Sequence, residues 1–216
     1  MNPARVKAQL FRAVLAGVLC TVVGPTLAQH DQHESGRHEN PRDLKAYLER
    51  LDDQARDKDQ KPAQVVEALG LKPGMAVADL GSGSGYFTRR FIEAVTETGK
   101  VYAIDVEPEM LNYAKESVIH MHVPYTAEFV LARTDDPKLP LESVDLIFVC
   151  NTYHHLDNRP KYFENLKSAL KPGGRVAIVD FYHDDRSGEL GFPKKHLVPR
   201  DTVLQELNEA GYNLAR

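Results

Sequence analysis

Cysteine is scarce: Cys20 and Cys150 are the two in 216 residues. Cys20 lies in an apolar N-terminal run, and Cys150 ends an apolar stretch with strand character. A disulfide between them is not expected. Neither has the neighbours of a metal site, so no metal is expected. Cys150 reads as a small apolar packing residue. Excess basic charge is missing too, with 27 Lys and Arg against 31 Asp and Glu. Setting aside Arg5, Lys7 and Arg12 of residues 1–28 leaves 24 against 31, a net charge of −7. No basic stripe stands out, so a nucleic-acid partner is not expected. What remains is ordinary for a globular chain, with 42% apolar and 27% charged residues. The length suits one α/β domain with something appended, and its core needs no staples.

The appended part is N-terminal. Residues 1–28 read as a secretory signal. A basic region, Met1 to Arg12, precedes an apolar stretch of roughly Ala13 to Val23. Gly24-Pro25 breaks it, and Thr26-Leu27-Ala28 offers a small residue for cleavage before Gln29. The apolar stretch is too short for a comfortable membrane span. The expectation is a secreted or periplasmic protein without stable membrane insertion after cleavage. The alternative is an uncleaved N-terminal anchor. Residues 29–42 carry His30, His33 and His38 among polar neighbours. They read as a solvated linker rather than a metal site, since nothing apolar pins them.

From Asp43 the pattern turns helical, with Leu44, Tyr47, Leu48 and Leu51 on one face. A charged break from Arg56 to Lys61 precedes a second helix carrying Val65, Val66, Ala68 and Leu69. These helices are expected to cover one end of a sheet and to cap a ligand site. Strands and helices then alternate. Strands are expected at Met75–Leu80, Lys100–Asp105, Ala127–Ala132, Val144–Cys150 and Arg175–Phe181. Helices are expected at Gly85–Val95, Glu107–Ile119, Arg159–Leu170 and Arg200–Ala210. The strands are continuous apolar runs, as befits strands covered on both faces. The fold class is therefore α/β: a doubly wound, mostly parallel sheet with helices on both faces, over residues 43–216. His183 to Pro199 reads as a long polar loop of the lid or substrate-binding kind.

The chemistry centres on Val77-Ala78-Asp79-Leu80-Gly81-Ser82-Gly83-Ser84-Gly85-Tyr86. A strand, a glycine turn and a helix follow one another, which lets backbone approach a ligand and aims a helix N-terminus at it. A P-loop needs Lys-Ser/Thr after its glycines, and Tyr86-Phe87 stands there instead. A dinucleotide fingerprint needs a third glycine where Tyr86 stands. Asp79 gains nothing from a pyrophosphate but would favour a ligand with a cationic amino group. Asp105 ends the neighbouring strand, where a carboxylate can accept both hydroxyls of a ribose. Taken singly, each acid is equally well a cap or turn residue. A nucleoside joined to an amino acid would satisfy both.

At these residues the chain resembles the class I S-adenosylmethionine-dependent methyltransferases. Asp79-Leu80-Gly81-Ser82-Gly83-Ser84-Gly85 matches their Asp/Glu-x-Gly-x-Gly-x-Gly signature in full, and Leu170-Lys171-Pro172-Gly173-Gly174-Arg175 matches their turn before the fifth strand. The resemblance spans roughly Lys61 to Leu214. It implies S-adenosylmethionine as methyl donor, held by Asp79, Gly81, Ser82, Gly83 and Gly85, with Asp105 and Val106 at the ribose. It further implies Asp135 at the adenine amino group, with Asp136 as the alternative, and Asn151 by the methionine part. Family members usually finish with two more strands; here the chain stops at Arg216, near where the first would start. Truncated C-terminal strands and an exposed sheet edge are therefore expected.

Methyl transfer from a sulfonium leaves a neutral group, so the protein mostly aligns the reactants and excludes water. A base is needed only if the nucleophile arrives protonated. His154 and His155, at the end of a central strand, are the candidates; the alternative is that they cap a helix, pack or face solvent. Tyr153, Tyr182 and His183 are candidates for the acceptor pocket. Three readings stay open: a small-molecule methyltransferase, a secreted S-adenosylmethionine-binding protein without turnover, and a nucleotide-dependent oxidoreductase. Oligomeric state has no signal in the sequence.

Overall fold

A computed structural model of the chain describes residues 7–10, 43–119, 121, 126–189 and 194–215. Of the leader reading over 1–28, only Lys7–Leu10 falls among them, as the strand β1. The rest of that segment and the polar stretch 29–42 lie outside the described residues.

Helix α1 (Leu44–Asp52) starts where Asp43 accepts a hydrogen bond from Ala46 N, 3.0 Å, a side-chain N-cap. The expected charged break is helical instead. A 3-10 turn, Gln54–Arg56, leads into α2 (Asp57–Gln60). Asp53 caps the turn by accepting from Ala55 N, and Asp57 accepts from the Tyr86 hydroxyl and from Arg90. Tertiary partners thus hold in place a segment whose apolar spacing says nothing. Helix α3 (Pro62–Leu69) has proline in its first turn and ends at left-handed Gly70, the usual asymmetry of helix ends.

The alternating part follows: β2 (Ala76–Leu80), α4 (Tyr86–Val95), β3 (Lys100–Asp105), α5 (Pro108–Val118), β4 (Ala127–Leu131) and β5 (Val144–Cys150). Then come α6 (Arg159–Leu166), β6 (Leu170–Val179), α7 (Asp185–Glu189), α8 (Arg200–Glu209) and β7 (Asn213–Leu214). Two differences from expectation are local. Residues Lys167–Ala169 are 3-10, so α6 stops early. Leu170 already pairs with Val144 before the register jumps to Arg175 against Leu146. The Pro-Gly-Gly turn therefore bulges within a strand rather than preceding it. The expected loop from His183 carries α7 and a 3-10 turn at Lys194–His196.

The sheet order is β4-β3-β2-β5-β6-β1-β7, and every pairing is parallel. The expected exposed edge beside β6 is covered by β1, with β7 outside it. β2 is buried at all five positions. On one face Phe87, Phe91 and Ile92 of α4 pack on Val77, Leu146 and Phe148. On the other, Tyr153, Phe163, Leu166 and Tyr212 pack on Ala78, Ile147 and Val149. Each such large side chain contributes about 1.5–3 kcal/mol by leaving water. This two-sided burial fixes the central strands, so the C-terminal ends of β2, β3, β5 and β6 share one edge. The site is built on that edge, where ligands bind in open α/β sheets.

Candidate cofactor site

After β2 the chain turns through three left-handed glycines, Gly81, Gly83 and Gly85, with φ of 77°, 53° and 78°. The amides of Gly81 and Ser82 both donate to Ile104 O, at 2.8 and 2.9 Å, which ties the turn to the end of β3. A Cβ on Gly81 would lie 2.8 Å from Thr152 Cβ and closer still to Oγ1 and Cγ2 of that residue. A Cβ on Gly85 would lie 3.1 Å from Ala114 Cβ. The third glycine therefore serves the approach of α4 to α5. Gly85 also leaves α4 without a side-chain cap, so its first-turn amides face the site as a cradle for an anion.

Tyr86 opens α4 and is buried. Its hydroxyl donates to Asp57, and the guanidinium groups of Arg56 and Arg90 lie 4.4 and 4.0 Å from its ring centre. The residue that removes the dinucleotide reading is thus the anchor of the helical cap.

Two acids flank the turn. Asp79 is 2% exposed, and Thr88 Oγ1 donates to its Oδ2 at 2.6 Å. Burial pushes its carboxyl up to about 7, the Thr88 hydrogen bond opposes this, and the charge of Asp105 adds to it. Asp105 accepts from Gly83 N at 2.9 Å through Oδ2 and from Glu107 N at 3.1 Å through Oδ1. Val106 follows, partly buried against the core. On the turn itself, the hydroxyls of Ser82 and Ser84 are buried and have no partner. Each such group costs about 1–3 kcal/mol if nothing fills it. Uncapped amides, orphaned hydroxyls and two carboxylates at one turn fit a ligand carrying a carboxylate, an amino group and ribose hydroxyls.

The first helices roof this turn. Tyr47 is half-buried; burial pushes its hydroxyl up, Arg50 opposes this, and the charge of Asp105 adds to it. Leu51 Cδ1 would be 3.4 Å from a Cβ on Gly83. Gln60 Oε1 accepts from Asn151 Nδ2 at 3.4 Å and from Cys150 Sγ at 3.7 Å. Asn151 is itself left-handed, φ 51°, and its amide donates to Val179 O. Sequence reasoning missed Tyr47, Leu51 and Gln60 as site residues. The amphipathic face of α1 was the available signal, and it reads equally well as core. Burial pushes the Cys150 thiol up, so it stays protonated.

Asp135 is not brought to the turn by any described contact. It is exposed, paired with Arg133 at 2.8 Å, and lines a shallow cavity with Asn165 and Ser168. Asp136 caps that loop by accepting from Lys138 N. His154 and His155 lie on a 3-10 turn after β5, with rings 4.2 Å apart. His154 Nδ1 is 2.9 and 3.1 Å from the two oxygens of Asp180, a residue the sequence reading did not single out. Tyr153 points the other way, donating to Glu206 at 2.6 Å in the core. Tyr182 lies on the surface beneath Arg186. Among the described residues no cluster of His, Cys, Asp or Glu could hold a metal ion, and no helix is long and apolar enough to cross a membrane.

A Methyltransferase domain family model matches residues 77–174, from β2 to the Pro-Gly-Gly turn. The ubiquinone/menaquinone biosynthesis C-methyltransferase UbiE of Escherichia coli is 29% identical over 116 residues, 54% of this chain and 46% of that protein. The chain thus spans about half the length of the curated relatives it matches. A SAM-dependent methyltransferase from Aquifex aeolicus superposes with a TM-score of 0.74 at 35% identity, covering 79% of this chain and 89% of that one. A phosphoethanolamine N-methyltransferase from Haemonchus contortus, in complex with S-adenosylhomocysteine, shares the fold alone, with a TM-score of 0.59 at 19% identity over 70% of this chain and 36% of that one. The glycine turn, its flanking acids and this close structural relative together show that the chain belongs to the S-adenosylmethionine-dependent methyltransferases.

Proposed function

We propose that this protein transfers a methyl group from S-adenosylmethionine to a small-molecule acceptor outside the cytoplasm. The observation that carries the first half is the pair of orphaned hydroxyls, Ser82 and Ser84, buried on the glycine turn that follows Asp79. The bound donor supplies an electrophilic methyl on a sulfonium. The α4 amides and the serine hydroxyls then hold its carboxylate end, Asp79 its amino end and Asp105 its ribose. Val106 and Asn151 flank the ribose and methionine parts, and Asp135 is assigned to the adenine amino group. Reaching it requires Asp135 to leave Arg133. The helical roof of α1 and α2 excludes water from the reacting atoms.

Calorimetric titration with S-adenosylmethionine, S-adenosylhomocysteine and NAD tests the donor. The first two are expected to bind, and Asp105→Ala to weaken them by about 10- to 100-fold, the loss of one charge-assisted hydrogen-bonded group. His154→Ala is expected to change binding by less. Binding of NAD alone would return the oxidoreductase reading, and binding without transfer to any small acceptor would return the reading of a binding protein.

Export rests on the order basic region, short apolar stretch, helix breaker and small residue in 1–28. Cleavage after Ala28 removes β1 and leaves the outer edge of β6 open. N-terminal sequencing of the protein from fractionated cells reads this directly. Gln29 is expected as the first residue outside the cytoplasm; Met1 in the cytoplasmic fraction overturns export, and Met1 in the membrane fraction supports the anchor.

A further inference from the structure

β5 and β6 are neighbours in register, Cys150 opposite Val179. The residues that leave their ends therefore meet at the edge that carries the glycine turn. Thr152 presses on Gly81. Two residues on, His154 turns its ring toward Asp180, the first residue past β6. Both side chains are largely buried, 5% and 18% exposed. Asp180 Oδ1 also accepts from Phe181 N at 2.9 Å, which fixes the carboxylate. The His155 ring packs against that of His154, with centroids 4.2 Å apart.

An ionised carboxylate can only accept, so the nitrogen facing it must carry the proton. Asp180 thereby selects the Nδ1–H form of neutral His154 and leaves the lone pair on Nε2. Nε2 makes no hydrogen bond to any described residue. A buried imidazole aimed and tautomer-locked by a carboxylate is a proton acceptor placed in advance. Methyl transfer needs one for an acceptor whose weakly acidic O–H must be lost as the new bond forms. An amine that has shed its proton to water does not.

We infer that His154 is the catalytic base, that Asp180 is its positioning residue, and that the acceptor is a phenolic hydroxyl; this rests on the proposed methyl transfer. The proton passes from the phenol to Nε2, an oxygen pair forms the bond to the methyl carbon, and the carbon–sulfur pair stays on sulfur. The imidazolium then gives its proton to water. Phe181, half-buried directly after Asp180, adds aromatic surface suited to such an acceptor.

The test uses full-length protein with 15N-labelled histidine. Nitrogen shifts above pH 8 are expected to show His154 as the Nδ1–H form in the wild type. Asp180→Asn, whose amide can donate to Nδ1, is expected to flip it to the Nε2–H form, and Asp180→Ala to release the lock. With catechol, caffeate and 4-nitrophenol as acceptors, Asp180→Asn is expected to lower kcat by about 10⁴-fold, the scale of a wrong-tautomer base, with KM little changed. His154→Ala should remove transfer altogether. A wild-type Nε2–H form, a tautomer indifferent to position 180, or transfer confined to amines overturns the inference. Absence of transfer to all three phenols overturns the acceptor class. Calorimetry with S-adenosylmethionine on the same samples separates these outcomes from a failure of the donor reading.

Discussion

Asp79→Asn is expected to make the ligand-free protein more stable at pH 8 while it loses most of its affinity for S-adenosylmethionine. The carboxyl is fully buried and reaches about 7 in the folded chain, mainly through desolvation. In the unfolded chain an aspartate titrates near 3.9. The sign follows from which state binds the proton more tightly. Below about pH 4 both states are protonated and the group contributes nothing. Between about 4 and 7 the unfolded chain ionises first, so stability falls as pH rises. Above about 7 the full penalty of a buried carboxylate remains, roughly 3–5 kcal/mol at about 1.4 kcal/mol per unit. Asparagine removes it and can still accept from Thr88. Thermal unfolding from pH 5 to 8 is the measurement: wild type declines across this range by more than the variant. The same penalty is what a cationic amino group offsets on binding. Affinity in the wild type is accordingly expected to weaken about tenfold per unit below pH 7, with no such slope in the variant. A variant less stable than wild type at pH 8, or one that binds as well, would refute this role of Asp79.

Gly81→Ala carries the second large effect. Two costs fall on one methyl. The left-handed backbone, φ 77°, costs an L-residue about 1–2 kcal/mol. Overlap with Thr152, whose Cβ would be 2.8 Å away, adds about 1–3 kcal/mol of forced repacking. The expected loss is roughly 2–5 kcal/mol, or about 5–20 °C in Tm for a domain of this size. Cofactor binding falls with it, because Gly81 N and Ser82 N fix the turn on Ile104 O. Gly173→Ala is the control, since Gly173 has φ 81° but nothing within 4 Å of a built Cβ. It should lose the backbone part alone. Adding Thr152→Gly to Gly81→Ala should recover the steric part, a coupling of about 1–3 kcal/mol in a double-mutant cycle. Equal losses at Gly81 and Gly173 would show that the contact with Thr152 does not matter.

The fold was legible because both periodicities are strong here. Continuous apolar runs such as Val144-Asp145-Leu146-Ile147-Phe148-Val149-Cys150 need burial on both faces, and Leu44, Tyr47, Leu48 and Leu51 need burial on one. The misreadings sit where local pattern carries no information. Residues Arg56 to Lys61 read as a break because every side chain is polar; α2 forms there because Tyr86 and Arg90 hold Asp57 from across the chain. The edge beside β6 was expected bare, since nothing in Lys7–Leu10 distinguishes a strand from the basic region of a leader.

The sequence by itself determined the donor side: the order strand, acid, glycine turn, helix, and an acid closing the next strand. Backbone geometry favours that spacing, because glycine reaches the left-handed φ of Gly81, Gly83 and Gly85 without the strain a side chain brings. Only the tertiary structure decided the rest. It brought Leu51 over Gly83, 32 residues away in the chain, and Gln60 onto Asn151, 91 residues away. It also set Asp180 against His154, 26 residues apart. Side chains that meet through the register of neighbouring strands leave no spacing to read, since loop length between strands is free while the ladder is fixed.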